Sequence, residues 1–323
     1  SRTFLALSLA NLALREPATA PGLLGIIDAV IRDTLALEGE KGQANFLLDY
    51  ARDGSFIASP GRSIFLDGEL AIMMGARCLV ADRPDYRPLL RERVESLVRQ
   101  MRQSPVLSGE SYPDECWTFC NGVALAAVRM CDGLEGTDHA DFLAAWVTNA
   151  RARLVEKRTG LLVAAYTFSG ETVYGPEGST LWMAAHCLQL VDPEFASDQY
   201  RRARKELGRD LLGFGYAREW SDAWKGTPDV DSGAVIPGLE ASAGASGLAL
   251  LGAAAFGDRE YLTELLASLS LAAFPEEKAG RLRFRASNQV GDAVMLYALV
   301  QGPLWEKVRG LARGVPRPEA ENP

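Results

Sequence analysis

The chain has 323 residues, 48% of them hydrophobic, and a formal net charge of −8. That supply of apolar side chains is enough for one large core. The acidic balance argues against a nucleic-acid surface or an anionic membrane as partner, and no apolar run approaches the roughly 18–20 residues that cross a bilayer.

The chain opens at Ser1 with the apolar stretch "TFLALSLANLAL" behind it. This leaves open a processed end with a signal or anchor upstream. An amphipathic outer helix is predicted at about 20–37, then an apolar, Ala- and Gly-rich inner helix at about 65–80. The same alternation repeats along the chain. Further outer helices are predicted at about 84–103, 138–156, 194–207 and 258–272, and inner ones at about 115–132, 179–191, 233–256 and 288–300. The repeat spans roughly 50–60 residues. An apolar helix buries nearly every face and an amphipathic one a single stripe, so the pattern predicts an all-α fold, an α/α toroid of inner and outer helices. The connections from outer to inner helix are long and hairpin-like. "TGLLVAAYTFSGETVYGPEGS" turns about Ser169-Gly170, and "GSFIASPGRSIFLDGE" and "AGRLRFRASNQ" are shorter versions. The expected organisation is one domain over 1–312 and a Pro- and Glu-rich disordered tail over 313–323.

In a toroid the starts of the inner helices converge on one cavity, so polar residues there are the candidates for chemistry. The densest group is "SYPDECWTFCN". With a helix starting near Asp114, Cys116 and Cys120 stand one turn apart on one face. Asp114 and Glu115 then occupy the first turn, where the positive helix end favours carboxylates and thiolates. This reads as an acid/base constellation or as a capped helix with packing cysteines. His186, in "LWMAAHCLQL", is either a core histidine or a catalytic group facing the cavity, and Glu177 before the same helix caps it or faces the cavity. Asp229 and Asp231 in "TPDVDSG", and Asp67 and Glu69 in "FLDGEL", are helix caps or substrate-binding groups. Trp220 in "GFGYAREW" and the nearby Trp224 suit an apolar cavity wall. No phosphate loop, GxSxG elbow or HExxH is present, and neither a metal site nor a cofactor is expected. Five cysteines without framework spacing favour reduced thiols and a cytoplasmic setting.

Together with the toroid pattern, "SYPDECWTFCN" resembles the linalool dehydratase/isomerase family. The family motif is a Cys-Glu-Pro-Asp run with Cys-Asn beginning six residues after the Asp, and Pro113, Asp114, Cys120 and Asn121 fall on it. Ser111 and Tyr112 stand where the family has its Cys and Glu, both members of its catalytic set. The resemblance implies an α/α barrel that adds or removes water on terpene alcohols without a cofactor, in rings of subunits. It therefore implies a homo-oligomer whose neighbours complete the cavity.

The expected function is thus a cofactor-independent hydro-lyase or isomerase acting on a small apolar alcohol or alkene. Asp114, Glu115 or Tyr112 would serve as the acid, and Cys120 or His186 as the base. Cys116 is a further catalytic candidate, and Asn121 is expected to orient the substrate or a polar neighbour. Two alternatives stay open: a carbohydrate-active toroid using paired carboxylates such as Asp67 and Asp231, and a non-catalytic scaffold whose centre is filled.

Overall fold

The computed structural model describes residues 1–222, 224 and 235–313. Along them run twelve α-helices: α1 (Arg2–Arg15), α2 (Ala20–Lys41), α3 (Ile64–Val80), α4 (Tyr86–Met101), α5 (Thr118–Glu135), α6 (Ala140–Arg153), α7 (Gly178–Leu188), α8 (Pro193–Glu206), α9 (Ala243–Phe256), α10 (Arg259–Ala272), α11 (Gln289–Val300) and α12 (Pro303–Arg313). The odd-numbered helices pack successively side by side, and α1 packs against both α3 and α11, so the inner ring is closed.

The alternation in the sequence is the alternation of burial. Along α3 nearly every side chain from Ile64 to Leu79 is buried, whereas α2 buries only Ile27, Ile31 and Thr34, one stripe at helical spacing. Small residues let the inner helices approach closely. A Cβ at Gly68 of α3 would lie 3.4 Å from Ala124 of α5, and one at Gly122 of α5 would lie 3.5 Å from Ala184 of α7. Two helices lie outside the expected set of five pairs. The apolar stretch behind Ser1 is α1, the sixth inner helix, and α12 packs against α1, α3 and α5.

α12 lies across the C-terminal ends of the inner helices. The Leu304 amide donates to Asn11 Oδ1 of α1 (3.0 Å), Trp305 Nε1 donates to the His186 carbonyl of α7 (3.0 Å), and Leu311 packs at Gly133 of α5. This end is therefore plugged.

The opposite end, where the inner helices begin, carries the strands. β1 (Cys116–Trp117), β2 (Ala165–Tyr166) and β3 (Thr172–Tyr174) form one antiparallel sheet. β4 (Gly208–Leu211) pairs with β5 (Phe214–Ala217), β6 (Val235–Ile236) with β7 (Ala241–Ser242), and β8 (Pro275–Lys278) with β9 (Arg281–Phe284). The hairpin about Ser169-Gly170 is present, closed by the Thr167 amide on the Glu171 carbonyl (2.8 Å), and "AGRLRFRASNQ" supplies β9. The segment "GSFIASPGRSIFLDGE" forms no strand, and short 3-10 turns at Gln43–Phe46 and Asp49–Ala51 precede it instead. The tail over 314–323 and the first residues of the predicted 233–256 helix lie outside the described residues; α9 itself begins at Ala243, capped by Ser242, whose Oγ accepts from the Ala245 amide (3.1 Å).

Candidate active site

The segment Ser111–Asn121 does not start as a helix. Tyr112 and Glu115 exchange backbone hydrogen bonds, Glu115 N to Tyr112 O at 2.9 Å and Tyr112 N to Glu115 O at 3.2 Å, around a turn with Pro113 and Asp114 at its centre. Asp114 takes a left-handed φ of 55° there. Cys116 and Trp117 then pair with Tyr166 and Ala165, and only at Thr118 does α5 begin. The physical reason is local: the residue before a proline disfavours the helical region, and the left-handed Asp114 makes a tight turn.

This corrects the expected shared face of the two thiols. Cys116 is a strand residue, fully buried against β2, and burial, with the nearby Glu110 and Asp114 carboxylates, pushes its thiol far above the usual range. Cys120 sits in the first turn of α5 and is only partly buried. Burial pushes its thiol up to about 12. A side-chain hydrogen bond with Ser111 works the other way, and the Glu69 and Glu115 charges add to the rise. Cys120 is therefore flanked by two carboxyl groups from different parts of the chain.

Glu69 and Asp67 share α3 but, two residues apart, point to opposite sides of it. Glu69 turns toward α1, where Thr3 Oγ1 donates to its Oε2 at 2.9 Å. Burial raises its carboxyl above the ordinary 4.5, and the Thr3 bond offsets only part of the rise. Beside it lies a pocket of about 270 Å³ whose apolar lining includes Phe46, Phe65, Leu37, Leu70 and Met73. Asp67 turns outward into an ion cluster. It accepts from Arg62 Nε at 2.8 Å and from Arg93, and both arginines also bind Glu38. Burial alone would raise the Glu38 carboxyl, but the hydrogen bonds from Arg93 and Arg62 outweigh it and hold it low. Asp67 is thus a tie between α3, α2 and α4, not a substrate ligand.

Glu115 accepts from the Tyr50 hydroxyl (2.9 Å to Oε2) and from Trp117 Nε1 (2.5 Å to Oε1). Tyr50, 65% exposed, packs against Tyr112, which packs against Phe65; Trp117 packs against Tyr174. An aromatic rim thus leads from Glu115 to the pocket at Glu69.

The remaining candidates separate from this group. Asp114 is exposed, and its Oδ1 accepts from the Phe168 amide at 3.0 Å, tying the turn to the hairpin. Asn121 is fully buried and clips both backbone groups of Gly109, so it orients the protein chain and does not meet substrate. Glu177 and Trp220 pair through their backbones at the start of α7. Asp229 and Asp231 lie outside the described residues. His186 does not join Cys120 and Asp114. It lies eight residues into α7, about 12 Å down the helix from its start, with Nε2 2.8 Å from the Tyr297 hydroxyl and its ring stacked on Trp305. Burial, with a contribution from Arg309, drives its pKa down to about 3. It belongs to the plug.

Sequence reasoning missed four residues that hold the site together. Buried Glu110 binds the amides of Ile57, Ala58 and Asp114, and buried Glu219 bonds Ser179 at the start of α7 and Ser242 before α9. Thr3 and Tyr50 complete the set; no local pattern announces partners 65 or 66 residues away. Among the described residues no group of three or more His, Cys, Asp or Glu could hold a metal ion.

A closed ring of six inner helices wrapped by outer ones, with candidate groups at the inner-helix starts, is the architecture of α/α toroid enzymes. A possible GH105-family member from Salmonella enterica superposes with a TM-score of 0.57 at 14% identity, covering 95% of this chain and 83% of that one. The unsaturated glucuronyl hydrolase of Bacillus sp. GL1 gives 0.56 at 13% identity, covering 97% and 86%. The GH76 α-mannanase of Bacteroides thetaiotaomicron gives 0.54 at 10%, covering 96% and 86%. At these identities the likeness is one of fold. No curated protein sequence matches the chain. The family model described as linalool dehydratase/isomerase matches residues 74–290, well over half of the sequence, and the chain belongs to that family.

Proposed function

We propose that this protein is a hydro-lyase or isomerase acting on a small apolar alkenol, with Glu69 and Cys120 as its acid/base pair. The observation that carries the reading is a buried carboxyl in a pocket, with its charge reaching a thiol at the start of the next inner helix. Burial raises the Glu69 carboxyl on α3, its charge reaches the thiol at the start of α5, and it lines a pocket walled by Phe46, Phe65, Leu37, Leu70 and Met73 on one side and by Ser1, Arg2 and Thr34 on the other. Family membership supports the same class of chemistry.

In this reading the pair holds one proton, and the productive form has it on Glu69, with Cys120 as thiolate. Glu69 gives its proton to the substrate hydroxyl, the C–O bond breaks and water leaves. Cys120 then takes a proton from the adjacent carbon, and those C–H electrons become the new double bond. The proton moves from Cys120 back to the Glu69 carboxylate before the next cycle. Re-addition of water at the other end of an allylic system would give the isomer. The apolar side of the lining, Phe46, Phe65, Leu37, Leu70 and Met73, would shelter charge as it develops on carbon. Glu115, fixed by Tyr50 and Trp117, is a second carboxyl whose charge reaches the thiol.

The test is direct. Purified protein is incubated with tertiary and primary allylic terpene alcohols and, in parallel, with an unsaturated uronide and an α-mannoside. Diene or isomeric alcohol should appear from the first set only. Release of sugar from either glycoside, with no change in the alcohols, would overturn the reading.

A further inference from the structure

The pocket beside Glu69 has a polar side that the acid/base chemistry leaves unused. Phe65, Glu69 and Met73 follow one another at helical spacing on α3, so a single face of that helix supplies the carboxyl together with apolar side chains. The start of α1 and the Thr34–Leu37 turn of α2 supply the rest. Arg2 and Thr3 are neighbours on α1 and diverge. Thr3 Oγ1 donates to Glu69 Oε2 at 2.9 Å, while Arg2 Nη1 donates to Thr34 Oγ1 at 3.1 Å. Thr34 is buried and gives its own proton to the Val30 carbonyl at 2.7 Å. It therefore holds the guanidinium in place as an acceptor. A guanidinium has five N–H donors, so most of the Arg2 fork is open to a ligand. Elsewhere the arginines between helices meet acids: Arg62, Arg77, Arg83, Arg87 and Arg93 each bind a carboxylate. Among the described residues none stands within ion-pair distance of Arg2.

We propose that the substrate of this pocket is an alkenol that also carries a carboxylate, an unsaturated hydroxy acid with an apolar body. Arg2 pairs with the carboxylate, Glu69 meets the hydroxyl, and the carbon chain lies against Phe65, Leu70 and Met73. The proposal rests on the alkenol reading above and adds to it the second polar end of the ligand. A planar fork matches a carboxylate with two parallel hydrogen bonds. The charge count selects a monoanion. The pocket has one guanidinium and already holds one carboxyl, whereas a phosphate ester brings a charge near −2 and would leave negative charge in excess.

The experiment measures binding by isothermal titration calorimetry with three unreactive probes of one chain length: octanoate, octanol and octyl phosphate. Wild type, Arg2→Gln and Arg2→Lys are compared at neutral pH and low salt. Wild type should bind octanoate about tenfold more tightly than octanol, the worth of hydrogen bonds to a charged group at a partly open site. That preference should shrink as salt is added. Glutamine, which keeps a donor for Thr34 but no charge, should lose the preference and bind octanol as wild type does. Lysine, which keeps the charge without the fork, should fall between the two. Equal binding of octanoate and octanol by wild type overturns the proposal, as does binding of neither. It is overturned too if Arg2→Gln keeps the preference, which would make Arg2 a surface arginine only, or if octyl phosphate binds best. Turnover is scored separately. With an allylic hydroxy acid as substrate, Arg2→Gln should raise KM about tenfold and leave kcat little changed. If wild type dehydrates no alcohol of either kind, the proposed function fails, yet the calorimetry still decides the anion preference of the pocket.

Discussion

Asn121 holds both backbone groups of Gly109: its Oδ1 accepts the Gly109 amide at 2.9 Å and its Nδ2 donates to the Gly109 carbonyl at 3.1 Å. The same Nδ2 reaches the Trp117 carbonyl at 2.9 Å. One buried amide therefore joins the start of α5, which carries Cys120, to the strand-like segment that carries Ser111. Replacing it by alanine strands buried polar groups on the backbone, at about 1–3 kcal/mol for each group left without a partner. Asn121→Ala should lower the melting temperature and reduce turnover together, because the start of α5, which carries Cys120, loses its tie to Gly109. Chemical denaturation with a parallel activity assay checks this. Unchanged stability would show that the clip is dispensable.

Asp67 offers a contrasting outcome. It is a buried acid tied to Arg62 and Arg93, which also hold Glu38. Asp67→Asn leaves two guanidinium groups short of an anion, and breaking a buried pair in this way costs about 3–5 kcal/mol. Stability should drop by that order, while the folded fraction at low temperature keeps its rate. A variant with wild-type stability and no activity would return Asp67 to the reaction and revive the paired-carboxylate alternative.

The inner and outer rings were legible because burial on all faces and burial on one face leave different periodicities in the sequence. α1 was not placed in the ring because its apolar stretch stands at the start of the chain, with no preceding polar turn to mark it as a repeat. α12 was passed over because it lies just before the Pro- and Glu-rich end. Of the site, Cys120, Glu115 and Glu69 were among the named candidates, since polar groups near inner-helix starts are visible in sequence. Their grouping was not. Glu69 meets Thr3 of α1, while Asp67, two positions away, faces the outer ring, and that split depends on how α3 is rotated between α1 and α5. The helix start near Asp114 was misjudged because the helical spacing of the two cysteines was weighed above the local turn signal at Tyr112-Pro113, and because the pairing of Cys116 with Tyr166 involves a strand 50 residues on. His186 was misassigned through its register. An inward-facing residue late in an inner helix meets the plug, not the mouth.

His186 gives a stability prediction with a definite sign. Its folded pKa is depressed to about 3 by burial and Arg309, against about 6.5 unfolded. The unfolded chain therefore binds the proton more readily. The histidine's contribution is fully present above pH 6.5 and is lost as pH falls toward 3, a change on the order of several kcal/mol. His139 works in the opposite direction. Its hydrogen bond to Asp132, at 2.6 Å, raises its pKa despite burial, so its contribution is present below pH 6.5 and fades above. Urea unfolding from pH 8 to pH 4.5 should show a steeper loss for wild type than for His186→Phe. Parallel slopes in the two proteins would mean that His186 is protonated in the folded state.

The Glu69–Cys120 pair predicts how the rate depends on pH. The productive form carries one proton between the two groups, so turnover should rise with pH as the doubly protonated pair loses its first proton. Burial raises Glu69, so the midpoint of that rise should lie above the ordinary 4.5 of a glutamate. The plateau should persist until the thiol, pushed up to about 12, is lost as well. A lone carboxylic acid acting without the thiol gives the reverse, a rate that falls across the same interval. A kcat profile from pH 4 to 10 separates the two.

The sharpest test distinguishes the two thiols of the turn. Cys116 is fully buried on β1, paired with Tyr166 of β2, whereas Cys120 lies in the first turn of α5, partly buried and within reach of the Glu69 and Glu115 charges. Serine nearly preserves the volume of cysteine but ionises only at far higher pH. Cys120→Ser should therefore lower alkenol turnover by about 10²–10⁴-fold, the usual worth of a positioned proton acceptor. Its melting temperature should stay close to wild type, because the residue is only partly buried. Cys116→Ser should do the opposite. It places a hydroxyl in a fully buried seat and costs about 1–3 kcal/mol of stability if that hydroxyl finds no partner, while the rate of the folded protein changes little. Turnover assays and thermal melts on both variants settle the assignment. Full activity in Cys120→Ser would remove the thiol from the reaction and leave the acid/base work to Glu69 and Glu115.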